Sequence, residues 1–430
     1  MNRPKTPEGL FLFALCAISF LAELGFVIVN ISNLPLFLEH GLQLPNLPGI
    51  ALATYYLIEA LANSPMGTLA DRLGRRRLMV LGTCVSILTC LATSQLRNPG
   101  GAMAWGVVAL VLLLRALDGL GAAALWPNVY AAVGDRVSPA RQARANTFIT
   151  MAYMASIPLA VKVGGWMNKT LGASHTPEDP LHYLPAFFFA AGCFAATSLL
   201  SYFVAPRKVE QHHITEAEAE HAPGAGVSLV GLKTALKTCP WLLGLIFLIF
   251  ISIGLIAPYM QSYFIQRFHI DEDDFGNLML GPAVLIGLAA TPLGHLSDTW
   301  GKTRTIRLGT ALCAVALWGI LFSPIPTMLI VLGTLLGVGF VMAFPAYMAF
   351  VASLAPEAER GGMIGAARMA QGVGAMLGSV LSSPLYTVDT HHHFIFYLAA
   401  SILTLGFLLS LIVVKEPEAK VSSVVPSGTP

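Results

Sequence analysis

The chain has 430 residues, of which 55% are hydrophobic and only 11% are charged, and its mean hydropathy is +0.70. This composition is too apolar for a water-soluble protein of that length. The formal net charge of +2 gives no reason to expect a nucleic-acid partner. We therefore expect an all-α membrane protein.

Apolar stretches of about 20 residues match a hydrocarbon core about 30 Å thick, because an α-helix rises about 1.5 Å per residue. The first stretch is long and lacks a convincing cleavage site, so we expect it to be retained rather than removed as a signal peptide. About twelve spans are predicted, at 10–38, 49–70, 77–96, 102–133, 144–167, 183–205, 239–264, 275–296, 305–323, 326–353, 361–386 and 392–414.

Charged residues are distributed unequally between the two sets of loops. The loops after spans 2, 4 and 8 carry several arginine or lysine residues and the loop after span 10 carries Arg360, whereas the opposite loops carry acidic residues such as those at 271–274. By the positive-inside rule, the basic loops are cytoplasmic. The chain is thus predicted to be a multi-pass protein of the cytoplasmic (inner) membrane with both termini in the cytoplasm.

The polar run between spans 6 and 7 predicts a linker between two halves. The expected organisation is a six-helix bundle at 1–206, a cytoplasmic linker at 207–238, a second six-helix bundle at 239–415 and a disordered tail at 416–430. We expect the two bundles to be related by pseudo-symmetry around a central cavity, and the protein to be a monomer.

Two motifs occur once in each half. Residues 67–77, GTLADRLGRRR, have a weaker copy at 294–304, GHLSDTWGKTR, and GLGAAALWP at 119–127 parallels GVGFVMAFP at 337–345. Small residues allow close approach of helix backbones, and repeated motifs are typical of transporters built from two similar halves. With Arg115 and Asp118 in span 4, these motifs resemble those of the major facilitator superfamily, and most closely its 12-span drug:proton antiporters.

That resemblance implies a cytoplasmic gate in the loop after span 2, which would lock the cytoplasmic side in the outward-facing state. An acid at a helix end can accept hydrogen bonds from a neighbouring helix or pair with arginine. The alternative is that the basic residues only set orientation and bind lipid headgroups. The predicted gate residues are Gly67, Asp71, Arg72, Gly74, Arg75 and Arg77, with Asp298 in the weaker copy.

Charged residues inside apolar helices require a reason, since each costs at least about 2.5–3.5 kcal/mol near the bilayer centre. Arg115 and Asp118 share a helix face and could simply satisfy each other, or could assist proton transfer as the resemblance implies. Glu23 is the preferred proton carrier, with Glu59 as a second, because an exchange of partner with Arg115 or Lys162 could load and release a proton. The alternative for Glu23 is a permanent ion pair.

Lys162 interrupts a Gly- and Pro-containing segment at 157–165, at a place where the related antiporters usually show a glycine-rich stretch. A lysine facing the cavity would suit an anionic substrate, whereas one extending outward would have no substrate role. Aromatic residues could line an adaptable apolar cavity. The predicted cavity residues are Glu23, Tyr56, Arg115, Lys162, Tyr259, Tyr347 and Arg368.

The sequence favours a secondary active transporter of a small amphipathic or lipid-like solute, with proton-coupled efflux implied by the resemblance. Import of an anionic metabolite, movement of a lysolipid or glycolipid between leaflets, and a non-transporting membrane sensor are the alternatives. No enzymatic motif is present, so we expect no enzyme. The histidine runs are interpreted as solvated loops, and the cysteines as core residues, so no metal or cofactor is expected.

Overall fold

The protein was described from a computed structural model, which places residues 8–100, 104–205, 229–354, 360–388 and 392–414. For some residues within these ranges, including Asp71 and all of 286–299, only the backbone is described. The described chain is helical throughout, as the composition predicted.

Six long helices form the first half. The first, α1, runs from Glu8 to Gly41, and its regular part, Glu8–Val27, continues into π-helical turns at Ile28–Asn33 and Phe37–Gly41. Such turns occur often at functional sites. The other five are α2 (Pro48–Leu73), α3 (Arg75–Ser94), α4 (Ala104–Arg136), α5 (Pro139–Leu171) and α6 (Leu184–Val204), with a 3₁₀ turn at Pro180–Tyr183 before α6.

The second half repeats this plan after a short helix, α7 (Leu229–Thr238). Its first span is broken: α8 (Pro240–Ile256) and α9 (Met260–Phe268) meet at an angle of 51° beside Pro258, which cannot continue a regular helix. The remaining helices are α10 (Glu272–Trp300), α11 (Lys302–Phe322), α12 (Met328–Leu354), α13 (Arg360–Tyr386) and α14 (His393–Val413).

The helices pair in the same way in both halves. In the first half α1 packs on α5 and α6, α4 packs on α2 and α3, and α3 packs on α6. In the second half α8 packs on α13 and α14, α12 packs on α10 and α11, and α11 packs on α14. The halves meet along two seams, α2 against α13 and α5 against α10. The sequence repeat is therefore a repeat of tertiary structure.

The repeated loop motif has a backbone explanation. Gly74 separates α2 from α3 and has a φ of 92°, and Gly301 separates α10 from α11 and has a φ of 86°. Residues other than glycine rarely adopt a positive φ of this size, so both motifs need glycine where one helix ends and the next begins.

Eight helices of the described chain are long and apolar enough to cross a membrane on length and composition alone, and the bent pair α8–α9 makes nine. Helices α2, α10 and α13 are comparably long but more polar, and they contribute to the two seams between the halves. With these three, and with α8–α9 counted as one, the long helical segments of the described residues number twelve, as many as the spans that the sequence predicted.

We call the end of the bundle with the Gly74 and Gly301 loops the basic end, and the end where α2 and α10 begin the acidic end. The halves are joined at the acidic end. The backbone N–H of Ile50 donates to Ser383 (3.1 Å), and the Tyr259 hydroxyl donates to the carbonyl of Pro45 (2.8 Å). The structure is thus in a state closed at the acidic end.

Candidate functional site

Glu23 lies in the middle of α1 and is only 7% exposed. The Tyr153 hydroxyl of α5 forms a hydrogen bond to its carboxyl group, and Glu59 of α2 is close enough to interact with it electrostatically. Neither Arg115 nor Lys162 pairs with Glu23, because both have other carboxylate partners. In this state Glu23 is therefore not paired with Arg115 or Lys162, as either the expected exchange of partners or a permanent ion pair with one of these bases would require.

A set of aromatic side chains adjoins Glu23, and we call it the aromatic box. Its rings form a continuous series: Tyr153 to Trp126 with centroids 5.2 Å apart, Trp126 to Phe26 at 6.3 Å, Phe26 to Tyr55 at 6.1 Å, and Tyr55 to Tyr56 at 5.5 Å. Ring faces carry partial negative charge, so the box and the carboxylate attract the same kind of group. The arrangement suits a positively charged or electron-poor organic ligand.

Arg115 and Asp118 form the intrahelical pair that the sequence allowed. The guanidinium of Arg115 donates to Asp118 (3.1 Å), to Asn30 (3.2 Å) and to Thr93 (3.1 Å), and it is 0% exposed. Thr89 donates to the other carboxylate oxygen of Asp118 (3.3 Å). Both charges are paired within one half, although Nε of Arg115 has no hydrogen-bond partner among the described residues, so the pair fixes the packing of α4 against α1 and α3. A role in proton transfer remains a prediction.

Lys162 differs from both expectations. Its ammonium group donates to Asp273 of α10, so it lies in the seam between the halves and neither faces the cavity freely nor extends outward. An intramembrane lysine needs a partner, and the acidic start of α10 supplies one. The sequence predicted a loop at residues 271–274, and this partner was therefore not foreseen.

Further contacts extend this seam. Asn168 donates to Glu272 (2.7 Å), and Lys169 pairs with Asp271 (2.7 Å). Partial burial acts to raise the pKa of Asp271, but hydrogen bonds from Lys169 and from the backbone N–H of Asp274 outweigh it and hold that pKa below its usual value. The Lys169–Asp271 pair of the seam therefore stays charged at neutral pH.

The other predicted cavity residues are dispersed. Tyr56 belongs to the aromatic box, whereas Tyr259 is buried at the acidic end and stacks on Tyr386 with centroids 3.9 Å apart. Tyr347 lines an apolar cleft within the second half, together with Phe250 and Phe344. Arg368 is exposed on α13. Only Glu23, Tyr56 and Glu59 thus fall in one cluster, with Asp118 near Glu59.

The predicted gate loop is anchored within its own half. Arg75 donates to both carboxylate oxygens of Asp135 on α4 (2.5 and 3.2 Å), and Arg76 donates to the carbonyl of Ala205 (3.2 Å). Gly67, Arg72 and Arg77 lie on α2 and α3 around this anchor. The side chains of Asp71 and Asp298 lie outside the described residues. The gating role of the loop stays a prediction, because the structure is closed at the opposite end.

Comparison with known proteins assigns the family. The family model described as "Major Facilitator Superfamily" matches residues 15–248 and 242–429. Multidrug resistance protein 1 of Bacillus subtilis is 23% identical over 371 residues, 84% of this chain and 86% of that protein. The inner membrane transport protein YajR of Escherichia coli is 28% identical over 213 residues, 47% of this chain but only 41% of that protein. Quinolone resistance protein NorA of Staphylococcus aureus is 24% identical over 41% of this chain and 45% of its own length.

Solved structures agree on the fold. A point mutant of the nucleoside transporter NupG aligns with a TM-score of 0.74 at 13% identity, covering 94% of this chain and 100% of that one. The inward open xylose transporter XylE from E. coli aligns with a TM-score of 0.71 at 16% identity, covering 96% and 98%. At these identities the likeness concerns the fold alone. The matched family model spans nearly the whole chain, and the protein therefore belongs to the major facilitator superfamily and is a membrane transporter rather than an enzyme.

Proposed function

We propose that the protein exports small amphipathic organic cations from the cytoplasm in exchange for protons. The observation that carries this proposal is a buried carboxylate, Glu23, beside a box of aromatic rings and without a basic partner among the described side chains. A carboxylate left in this way within a membrane protein attracts either a proton or a cation.

Competition for one carboxylate explains exchange. A proton on Glu23 removes the negative charge that strengthens binding of a cationic substrate to the aromatic box, and a bound cation in turn favours release of the proton. If both reach Glu23 from a cavity that opens alternately to each side, the movement of one in one direction drives the other in the reverse direction. Glu59 is the second candidate carrier, because it lies close enough to Glu23 for their charges to interact.

Two further considerations support efflux of cations over the alternatives. The lysine that favoured an anionic substrate is engaged by Asp273 across the seam. Relatives over most or part of the chain are named for multidrug and quinolone resistance. The positive-inside rule makes the basic end cytoplasmic, so we infer that both termini face the cytoplasm of the inner membrane.

Transport into proteoliposomes tests the proposal. A fluorescent aromatic cation such as ethidium should accumulate in vesicles whose lumen is more acidic than the bath. This accumulation is carried by those transporter molecules whose cytoplasmic side faces the bath. Glu23→Gln should abolish this gradient-driven accumulation, because the amide cannot exchange a proton. Exchange of labelled for unlabelled cation should persist, since the aromatic box remains.

Glu178→Gln is the matched control, because Glu178 is an exposed carboxylate in the loop before α6 and should transport as the parent does. Gradient-driven accumulation by Glu23→Gln at the parental rate would show that Glu23 is not the coupling residue. A parent protein that binds the cation but never responds to the pH gradient would refute proton coupling altogether.

A further inference from the structure

We propose that Glu39 is a further proton-exchanging residue of the transport cycle, separate from Glu23 and Glu59, which takes up a proton from the acidic side as the two halves close over it. Glu39 lies in the π-helical turn Phe37–Gly41 at the acidic end of α1, far along the helix from Glu23. The first span predicted from the sequence ends at residue 38, so Glu39 was not among the predicted site residues. The inference rests on the proposed function only in assuming a proton-coupled cycle.

The carboxyl group of Glu39 is held by the other half of the molecule. Its Oε1 accepts hydrogen bonds from the Gln266 amide of α9 (3.1 Å) and from the Tyr386 hydroxyl of α13 (3.2 Å), and the residue is only 9% exposed. Both donors are neutral. Oε2 is buried and has no hydrogen-bond partner among the described residues.

These contacts fit a carboxylic acid better than a carboxylate ion. An ion would leave half of its charge buried on Oε2 without a donor, which is costly. A proton on Oε1 can instead be donated to the Tyr386 oxygen. The Tyr386 hydroxyl then donates to the Ser262 hydroxyl, whose oxygen is 3.4 Å away, and Gln266 continues to donate to Glu39. The neutral carbonyl at Oε2 still lacks a donor, but burying an unpaired neutral oxygen costs far less than burying an unpaired charged one.

No cation among the described residues replaces the proton. Arg267 of α9 points to Tyr263 and to the carbonyls of Leu321 and Ser323. His392 stacks on the Tyr386 ring, with centroids 4.1 Å apart, and its Nδ1 forms a hydrogen bond with the Tyr386 backbone carbonyl. The remaining titratable groups facing Glu39 are His40 in its own turn, Tyr183 before α6 and Tyr259 at the end of α8.

Opening of the acidic end removes these surroundings. Gln266, Tyr386 and Ser262 all belong to the second half, so separation of the halves leaves Glu39 in contact with water, where the carboxylate is stable. The closed state therefore binds the proton more tightly than the open state. By linkage, the closed state is favoured at low pH, and the ratio of closed to open molecules falls by up to about tenfold per pH unit as the proton is lost.

A distance measurement across the acidic end tests this. Spin labels at Leu171→Cys and Val388→Cys sit on exposed positions of opposite halves, in a protein whose six native cysteines are replaced. The spin-labelled protein, which is the parent in this measurement, also carries His182→Gln, Glu23→Gln and Glu59→Gln. His182 lies 3.6 Å from Glu272 across the seam and titrates in the same range, and the two glutamates belong to the proposed cavity site.

We expect pulsed electron paramagnetic resonance to show a short distance at pH 5 and a growing long-distance population towards pH 9. Glu39→Gln should keep the short distance at every pH, because glutamine mimics the neutral acid. Asp271 does not interfere, since its lowered pKa keeps it charged over this range. A parent without a pH response, or a Glu39→Gln profile that follows the parent, would overturn the proposal.

The variant Tyr386→Phe provides a second test, in which the Glu39 carboxyl group itself is unchanged. It removes the acceptor for the acid proton, so the transition should move to lower pH, whereas an unchanged profile would count against the proposed network. The distance assay is independent of transport. If the unmodified protein shows no gradient-driven cation transport but the Glu39-dependent change in distance is present, the proposed function alone is refuted. If transport is present but the distance does not depend on Glu39, the role of Glu39 alone is refuted.

Discussion

The charged residues inside the helices differ in how they are satisfied. Arg115 and Asp118 neutralise each other and are surrounded by hydrogen bonds within the first half. Lys162 is neutralised only across the seam, by Asp273, and Glu23 has no basic partner among the described residues. The first arrangement is suited to a permanent role in packing, whereas the other two change when the halves separate or a ligand binds.

Removal of one member of the buried pair should therefore reduce stability. Arg115→Ala leaves the Asp118 carboxylate buried among neutral groups, and we expect a loss of about 3–5 kcal/mol in the free energy of unfolding. The double variant Arg115→Ala/Asp118→Ala should lose less than the single variant, because no charge is stranded. Equilibrium unfolding of the purified protein in detergent would measure both. A single variant no less stable than the double variant would contradict the assignment.

At the scale of helices, glycine permits the contact between the halves. A Cβ atom on Gly49 of α2 would lie 2.2 Å from the carbonyl oxygen of Ser379, and one on Gly165 of α5 would lie 2.4 Å from that of Glu272. A Cβ on Gly276 of α10 would lie 2.6 Å from the Cα of Lys162. Both seams thus depend on close approach of backbones at the acidic end.

A larger side chain in a seam should prevent closure without unfolding either half. Gly165→Leu is expected to shift the population towards molecules open at the acidic end, because the neighbour it would meet is backbone and cannot move aside. The spin-label pair at residues 171 and 388 would report a longer distance. Gly106→Leu is the control, since nothing lies within 4 Å of a Cβ there. A Gly165→Leu protein with the parental distance would show that the seam tolerates the added volume.

Much of the helical plan could be predicted, because each span produces a long apolar stretch whose ends are marked by charge, glycine or proline. The predicted limits of 49–70 and 361–386 correspond to helices Pro48–Leu73 and Arg360–Tyr386. The sequence predicted a single span at 239–264 and not the bend between α8 and α9, although Pro258 lies at the position of the bend. The π-helical turns of α1 leave no pattern in the sequence, and with them Glu39 was missed.

Contacts between distant residues were less predictable. The pairing of Arg115 with Asp118 follows from their spacing on one helix, and so could be foreseen. The pairing of Lys162 with Asp273 joins residues in different halves, and nothing local in the sequence connects them. The aromatic residues near Glu23 were recognised individually, but their arrangement around one carboxyl group depends on how α1, α2, α4 and α5 pack.

At the scale of the whole molecule, two similar bundles meet along two seams that close the acidic end. The repeated pairing of helices and the repeated glycine loops make each half a separate packed unit, which can rock against the other as a body. In this arrangement the groups at the seams are available for exchange between states, whereas the pairs inside each half are not. Separation of the halves is therefore expected to change the surroundings of Glu39 and Lys162 most, whereas those of Glu23 change when a proton or a ligand binds.

The central claim is that a proton and a cationic substrate compete for Glu23, and proton release on substrate binding tests it most directly. Purified protein in weakly buffered detergent solution at neutral pH should release protons when an aromatic cation such as ethidium is added, and Glu23→Gln should bind the cation with much less release. Release would be measured with a pH-sensitive dye, and binding by the fluorescence of the cation. Saturable binding to the parent protein without any proton release would contradict the account.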